Sequence, residues 1–294
     1  MLDFRIETFL CVCRNMNFTT AAEELHITQP AVSQHIQYLE NYYGTALFER
    51  SGKKISLTPA GETLLHAMTV IRNDETAVKS RMKNALADKK ILNLGVTMTI
   101  GEFVIEKPLS SYLKNHPDTD VNIRFANTAR LCSELLNGRL DFALVEGNFN
   151  FDLFDTLVMK KEKYIPVCSA NHRFERKIKG LSDLLSERLI VRESGSGTRD
   201  ILEKSLEIRN IHISDFARCI QADNTHLIVS LLKRDCGISF LYKSAVEEEI
   251  KLSTLREIKL SDFDMEHDFT FVWNKGSVFS NEYKAICEEL KSYS

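Results

Sequence analysis

Proline is rare in this sequence of 294 residues, with 5, and glycine is little commoner, with 12. Collagen-like and low-complexity chains are thereby excluded, because both are built on those residues. An excess of one charge is missing as well. Thirty-eight basic residues stand against 41 acidic ones, a net of −3, so the whole-chain balance gives no sign of a nucleic-acid partner, although a local basic element is compatible with it. No stretch approaches about 20 uninterrupted apolar residues, so no membrane partner through a spanning helix is expected. The start, MLDFRIETFLCVCRNMNF, lacks the basic opening and apolar core of an export signal, which sets the expectation of a cytoplasmic protein. The cysteines number 7, odd and scattered, as in a chain with reduced thiols. Cys11 and Cys13 stand too close together for the usual zinc spacing, and neither a metal nor a cofactor is expected. What remains is a globular composition, 44% hydrophobic and 27% charged, long enough for two or three domains.

Within the first sixty residues the apolar positions Leu2, Ile6, Phe9, Leu10 and Cys13 recur at helical spacing and predict a helix over 2–14. Thr20 and Glu23 fit a capping box for a short second helix ending near His26. Thr28 can cap a third helix with Pro30 in its first turn, an apolar stripe of Val32, Ile36 and Leu39, and Gly44 just past its end. Two helices joined by a turn of about three residues make a helix-turn-helix. The polar side of the third helix carries Gln29, Ser33 and Gln34 near its N-terminal half, with His35 beside them. Such residues reach base edges when a recognition helix lies in the major groove, and Gln pairs in two-point fashion with adenine. On composition alone a solvated polar face is the favoured reading of them. The runs around Ser51, Gly52 and Lys53 read as a hairpin, a wing offering Arg50, Lys53 and Lys54 to phosphates or the minor groove.

Residues 18–40, FTTAAEELHITQPAVSQHIQYLE, followed by Gly44, Leu47-Phe48-Glu49-Arg50 and Leu57-Thr58-Pro59-Ala60-Gly61, resemble the LysR-type transcriptional regulators. The match is dense over residues 1–65, and the rest of the chain has the length and order of that family's effector domain. The resemblance implies a sequence-specific DNA-binding regulator rather than an enzyme. It implies that Thr28, Gln29, Pro30, Ser33, Gln34, Arg50 and Lys53 face double-stranded DNA, with His35 a weaker member. It implies a homodimer or homotetramer, and it leaves RNA polymerase open as a further partner. One departure stands out: residues 1–60 hold five basic residues against six acidic ones. Phosphate neutralisation normally supplies much of DNA affinity, so a single module should bind weakly and depend on oligomerisation.

Residues 61–88 contain no proline and, after Gly61, no glycine. Leu64, Ile71, Val78 and Ala85 recur every seven positions, with Met68 and Met82 between them and Glu75 interrupting. A long linker helix with a pairing seam fits, and packing on its own domain is the rival reading. Residues 88–90 make a plausible hinge.

Beyond residue 91 strand-like and helix-like runs alternate. Strands are expected at 91–97, 121–125, 141–145, 164–168, 189–191, 218–222 and 237–241, with helices at 101–115, 129–137, 198–208 and 224–234. The fold class is α/β: a winged helix-turn-helix over 1–60, a linker helix over 61–88, and an α/β domain over 89–294. By resemblance the last looks like a type 2 periplasmic binding protein of two subdomains, about 91–161 with 267–294, and about 162–266. The chain should cross near 160–163 and return near 265–269.

Ligands in such sheets sit at strand ends against helix starts. Thr97, Thr99 and Ile100 follow the first strand; Asn127 and Thr128 follow the second. Gly195, Ser196 and Thr198 precede a helix in the other half, and an anion, carboxylate or oxyanion, is their natural guest. By spacing alone a simple helix cap is an equal reading. The resemblance places effector contacts at Thr97, Thr99, Ile100, Asn127 and Thr198. Glu146, Gly147, Asn224 and Thr225 also end near the cleft, and Glu146 either lines the hinge or selects a cationic group. Three rival functions stand against this one. An α/β enzyme lacks a triad, a Walker motif or a dinucleotide fingerprint. A redox sensor would use Cys219 and Cys236, but both adjoin apolar strands and read as buried. A transport receptor would not need the helix-turn-helix.

Overall fold

The computed structural model describes residues 2–51, 54–85 and 90–294. Three helices open the chain, α1 Phe4–Asn15, α2 Phe18–Glu24 and α3 Gln29–Tyr43. Asp3 caps α1 by accepting from the Arg5 amide at 2.8 Å. Thr28 caps α3, Pro30 lies in its first turn where no amide hydrogen is needed, and Gly44 closes it at φ +71°. The start of α2 corrects the sequence expectation. Its cap is Asn17, not Thr20: the Asn17 carboxamide accepts from the Thr19 amide at 2.8 Å and the Thr20 amide at 3.1 Å. One side chain that satisfies two free amides outcompetes a hydroxyl that would satisfy one. Ile6, Phe9, Leu10, Val32, Ile36 and Leu39 close one small core, joined by Leu47 and Leu64. Strands β1 Phe48–Ser51 and β2 Lys54–Leu57 pair antiparallel as the wing.

Helix α4, Pro59–Ala85, uses two faces. At its start Leu64 and Met68 pack on the helix-turn-helix core. Further along, Asn73 donates to the carbonyls of Leu135 at 3.2 Å and Leu136 at 2.9 Å. Asp74 accepts from the Ser277 hydroxyl at 2.6 Å and the Val278 amide at 3.0 Å. Arg81 pairs with Glu282 at 2.6 Å and lies over the Phe279 ring. These residues fasten one face to the α/β domain. The heptad residues Ile71, Val78 and Met82 lie on a different face and stay 47%, 41% and 68% exposed.

The α/β domain runs β3 Lys90–Val96, α5 Met98–Phe103, α6 Glu106–Asn115, β4 Thr119–Phe125, α7 Thr128–Leu136, β5 Phe142–Val145, β6 Phe154–Ser169, β7 Arg188–Arg192, α8 Gly197–Glu207, β8 Arg218–Ala222, α9 Thr225–Lys233, β9 Ile238–Tyr242, α10 Glu247–Lys251, β10 Leu255–Glu257, β11 Met265–Asn274 and α11 Ser280–Ser292. Lys90 opens β3 rather than ending a hinge; residues 88 and 89 lie outside the described residues. The single helix expected over 101–115 is two. Pro108 cannot donate to residue 104 and its ring would strike that carbonyl, so the chain breaks at Val104–Ile105 and Pro108 falls in the first turn of α6.

The large sheet has the order β4-β3-β5-β11-β6-β9-β7-β8, with β10 on β6. Strands β3, β4 and β5 are parallel in one half, and β7, β8 and β9 in the other. The two long strands β6 and β11, antiparallel to each other, run through both halves. Both crossings therefore lie inside continuous strands, with a register shift between Phe269 and Thr270. A single buried cluster continues from one half to the other, from Val96, Ile100 and Leu144 to Leu189, Leu202 and Phe240.

Candidate functional site

The polar positions of α3 are outward. Gln29 and Gln34 are exposed, Pro30 is exposed and Ser33 half-exposed. Gln29 Nε2 donates to Ser33 Oγ at 2.9 Å, one turn on, so the two are held as a pair. Gln37 continues the row and donates to Asn41 at 3.3 Å. Thr28 spends its hydroxyl on capping, accepting from the Ala31 amide at 3.4 Å. His35 departs from the sequence expectation. Its Nδ1 lies 2.9 Å from the Thr8 hydroxyl and its ring meets Phe4 edge-on, so it holds α3 to α1 and is turned from the exposed row. Arg50 pairs with Ile55 in the wing backbone. Its side chain, and all of Lys53, lie outside the described residues.

The second site is the seam between the halves of the α/β domain. Thr97, Thr99, Thr128, Glu146, Ser196 and Thr198 are all buried there. The Thr97 hydroxyl donates to Glu146 Oε2, and the Thr198 hydroxyl reaches Glu146 Oε1 from the opposite half at 3.3 Å. Thr99 and Thr198 lie 3.4 Å apart, hydroxyl to hydroxyl. Thr128 donates to the Glu146 carbonyl, which fixes the strand end that carries the carboxylate. Gly147, at φ +93°, touches Gly197: a Cβ on Gly147 would come within 2.8 Å of the Gly197 Cα. The halves are thus in backbone contact at this point. Burial pushes the Glu146 carboxyl up to about 7, against the opposing pull of the Thr97 hydroxyl, the Arg192 charge and the Thr198 hydroxyl.

The remaining expected residues fall around this centre. Ser196 is the N-cap of α8 yet makes no side-chain bond to its own helix. Gly195, at φ +83°, lies against the Asn127 carboxamide. Asn127 itself caps α7, accepting from the Arg130 amide at 2.9 Å, and Asn224 caps α9, accepting from the Leu227 amide at 2.8 Å. Asn224 is exposed, unlike the buried threonine hydroxyls. Ile100 sends its side chain into the core. Two further residues complete this centre. Tyr164 donates to the Thr198 carbonyl at 2.9 Å, and Arg192 is buried with its guanidinium on Glu193 at 2.8 Å and 3.0 Å and on the Thr225 hydroxyl at 3.1 Å. Tyr164 opens the strand run expected after the crossing, the one local signal that could have marked it.

The redox alternative is corrected at one point. Cys219 is exposed on edge strand β8 and Cys236 is half-buried, so neither is a buried core thiol. Desolvation still raises the Cys219 thiol above its ordinary value, with Arg199 pulling less strongly the other way, which is the wrong direction for a reactive thiolate. Among the described residues no group of three His, Cys, Asp or Glu side chains is placed to hold a metal, and no helix is long and apolar enough to cross a membrane.

Two family models match. One described as a bacterial regulatory helix-turn-helix protein of the lysR family covers residues 5–62, and one described as a LysR substrate binding domain covers residues 87–294. A probable RuBisCO transcriptional regulator of Phaeodactylum tricornutum is 26% identical, over 99% of this chain and 97% of its own. The regulator CysL of Bacillus subtilis is 26% identical, over 91% and 89%. Among solved structures, full-length LysG of Corynebacterium glutamicum with arginine bound as effector aligns with a TM-score of 0.65 at 14% identity, covering 99% of this chain and 98% of that one. A hydrogen-peroxide-bound OxyR variant from the same organism aligns with a TM-score of 0.62 at 24% identity, covering 99% and 91%.

Proposed function

The chain belongs to the LysR family of transcriptional regulators, and from that premise we propose how its two sites divide the task. Helix α3 enters the major groove of double-stranded DNA with Gln29, Pro30, Ser33 and Gln34, Thr28 sets the helix start, and Arg50 and Lys53 of the wing contact phosphate. His35 acts through packing. A small effector enters the seam bounded by Thr97, Thr99, Ile100, Asn127, Thr128 and Glu146 on one side and Gly195, Ser196, Thr198 and Asn224 on the other. Its carboxylate or oxyanion lies at the start of α8, whose cap Ser196 leaves its hydroxyl off its own helix.

The observation that carries this reading is the placement of α4. It packs on the helix-turn-helix core at one end and is bonded to the α/β domain at Asn73, Asp74 and Arg81. Motion of the half of the sensor that carries Leu135, Ser277 and Glu282 is therefore passed to the reader through a helix fastened at both ends. The exposed Ile71, Val78 and Met82 supply the seam on which a second subunit pairs. The protein acts in the cytoplasm as a homodimer or homotetramer, with RNA polymerase as the machinery it influences.

A mobility-shift titration with the DNA upstream of its own gene tests the reading. Ser33→Ala and Gln34→Ala should each weaken specific binding by about ten- to a hundredfold, the worth of a base contact, while sedimentation shows unchanged oligomers. Equal affinity of wild type and variants would overturn it. Thr99→Val should keep DNA binding and blunt the effector response.

A further inference from the structure

Glu146 is 2% exposed and lies where the two halves of the sensor meet. Its oxygens take hydroxyl hydrogens from Thr97 and Thr198, but among the described residues no cationic side chain pairs with it. The guanidinium in its vicinity, Arg192, is committed: Glu193 occupies Nε and Nη2, and Thr225 accepts from Nη1. A buried carboxylate that keeps two hydroxyl donors and lacks a counter-ion is an uncommon arrangement, since buried charges are normally paired.

A second observation lies beside it. Tyr242, the last residue of β9, is fully buried, yet its hydroxyl has no hydrogen-bond partner. Its ring stacks edge-on against Tyr164, whose own hydroxyl binds Thr198, and the Glu146 charge acts on it directly. Further round the seam, Glu102 on α5 has one carboxylate oxygen buried without a hydrogen-bond partner, its ion pair with His226 of α9 being long, at 3.6 Å. Glu146 and one Glu102 oxygen thus lack a close cationic partner at the seam, beside a Tyr242 hydroxyl that can donate or accept. The two carboxylates call for a group rich in N–H donors and positive charge, and an ammonium or guanidinium is all donor and no acceptor.

We propose that the effector carries a protonated nitrogen, an ammonium or guanidinium, and that Glu146 is its ionic partner in the seam. This rests on the effector site proposed above. Together with the carboxylate assigned to the start of α8, it makes the ligand a zwitterion of the amino-acid class. A simple dicarboxylate or an inorganic oxyanion would meet the Glu146 charge with nothing to offset it. The amino group supplies that offset, and the same contact would pull Glu146 from Thr198 and alter the closure of the halves.

The test is calorimetric and thermal-shift titration of the full chain at pH 8 with matched pairs: L-norvaline against valerate, L-glutamate against glutarate, L-leucine against 4-methylpentanoate. The expected result is at least one amino acid that stabilises the wild type, binds at least tenfold more tightly than its des-amino carboxylate, and loses at least tenfold in Glu146→Gln. Glu146→Asp, which keeps the charge, should retain the preference for the amine, and a cooperative unfolding transition in both variants shows that they fold. A des-amino carboxylate that binds as tightly as its amine, an amino acid whose binding Glu146→Gln leaves unchanged, or no stabilisation by any amine overturns the proposal. A plain carboxylate whose binding Thr99→Val abolishes would remove this proposal and leave the effector site standing.

Discussion

At the scale of single residues, burial and position decide the chemistry of the seam. The Glu146 carboxyl is raised to about 7 because leaving water costs its charged form more than the hydroxyls of Thr97, Thr198 and Thr99 and the Arg192 charge return. The sign of the consequence is fixed. Between its unfolded value, 4.5, and about 7 the folded protein holds a proton that the unfolded chain has lost. Stability contributed by this group therefore falls as pH rises through that window and is flat above it, a difference on the order of 3 kcal/mol. Denaturant unfolding from pH 5 to pH 8 should show this decline in the wild type and lose most of it in Glu146→Gln, which should also be the more stable protein at pH 8. Gly197→Ala tests the contact between the halves, because a Cβ there would come within 2.5 Å of the Glu146 carbonyl. It should destabilise the domain by roughly 1–3 kcal/mol, the usual range for overpacking, readable as a lower unfolding midpoint. The threonines were legible in the sequence because each stands where a strand run gives way to a helix run, and Glu146 because it directly follows the end of a strand run. Tyr164, Arg192 and Tyr242 were not, since nothing local says that strand ends so far apart in sequence meet. The inward turn of His35 was hidden for a like reason: its partners Thr8 and Phe4 belong to another helix.

At the scale of elements, α4 shows how two periodicities share one helix. The heptad residues Ile71, Val78 and Met82 point away from the chain's own domains, while Val70, Asn73, Asp74 and Arg81 face them. Packing on the chain's own domains thus takes one face of the helix and leaves the heptad face exposed for the pairing proposed above. Ile71→Glu with Val78→Glu should lower the oligomeric state in sedimentation velocity without reducing helical content. Asn73→Ala should act differently. It leaves the carbonyls of Leu135 and Leu136 without its amide and should cost about 1 kcal/mol, with pairing unchanged. Element types were legible from apolar spacing over most of the α/β domain, but not for the first part of β6, for α10 or for β10. Ends were less so where two signals competed, as Asn17 did with Thr20, or where a proline reset the frame, as Pro108 did inside the expected helix.

At the scale of the whole molecule, scarcity of positive charge shapes the account. The reader holds five basic residues against six acidic ones, so one module has little phosphate attraction to spend and must be multiplied. A monomeric variant should bind DNA weakly and with a shallow salt dependence; a steep dependence from a monomer would contradict this. The most direct measurement is a footprint of the full-length protein on the DNA upstream of its own gene. The account predicts protection of two half-sites facing successive major grooves, about 10 base pairs apart centre to centre or a multiple of that, disappearing at equal protein concentration when Ser33 and Gln34 are both changed to Ala. Protection of one isolated half-site, or a footprint untouched by those two substitutions, would contradict it.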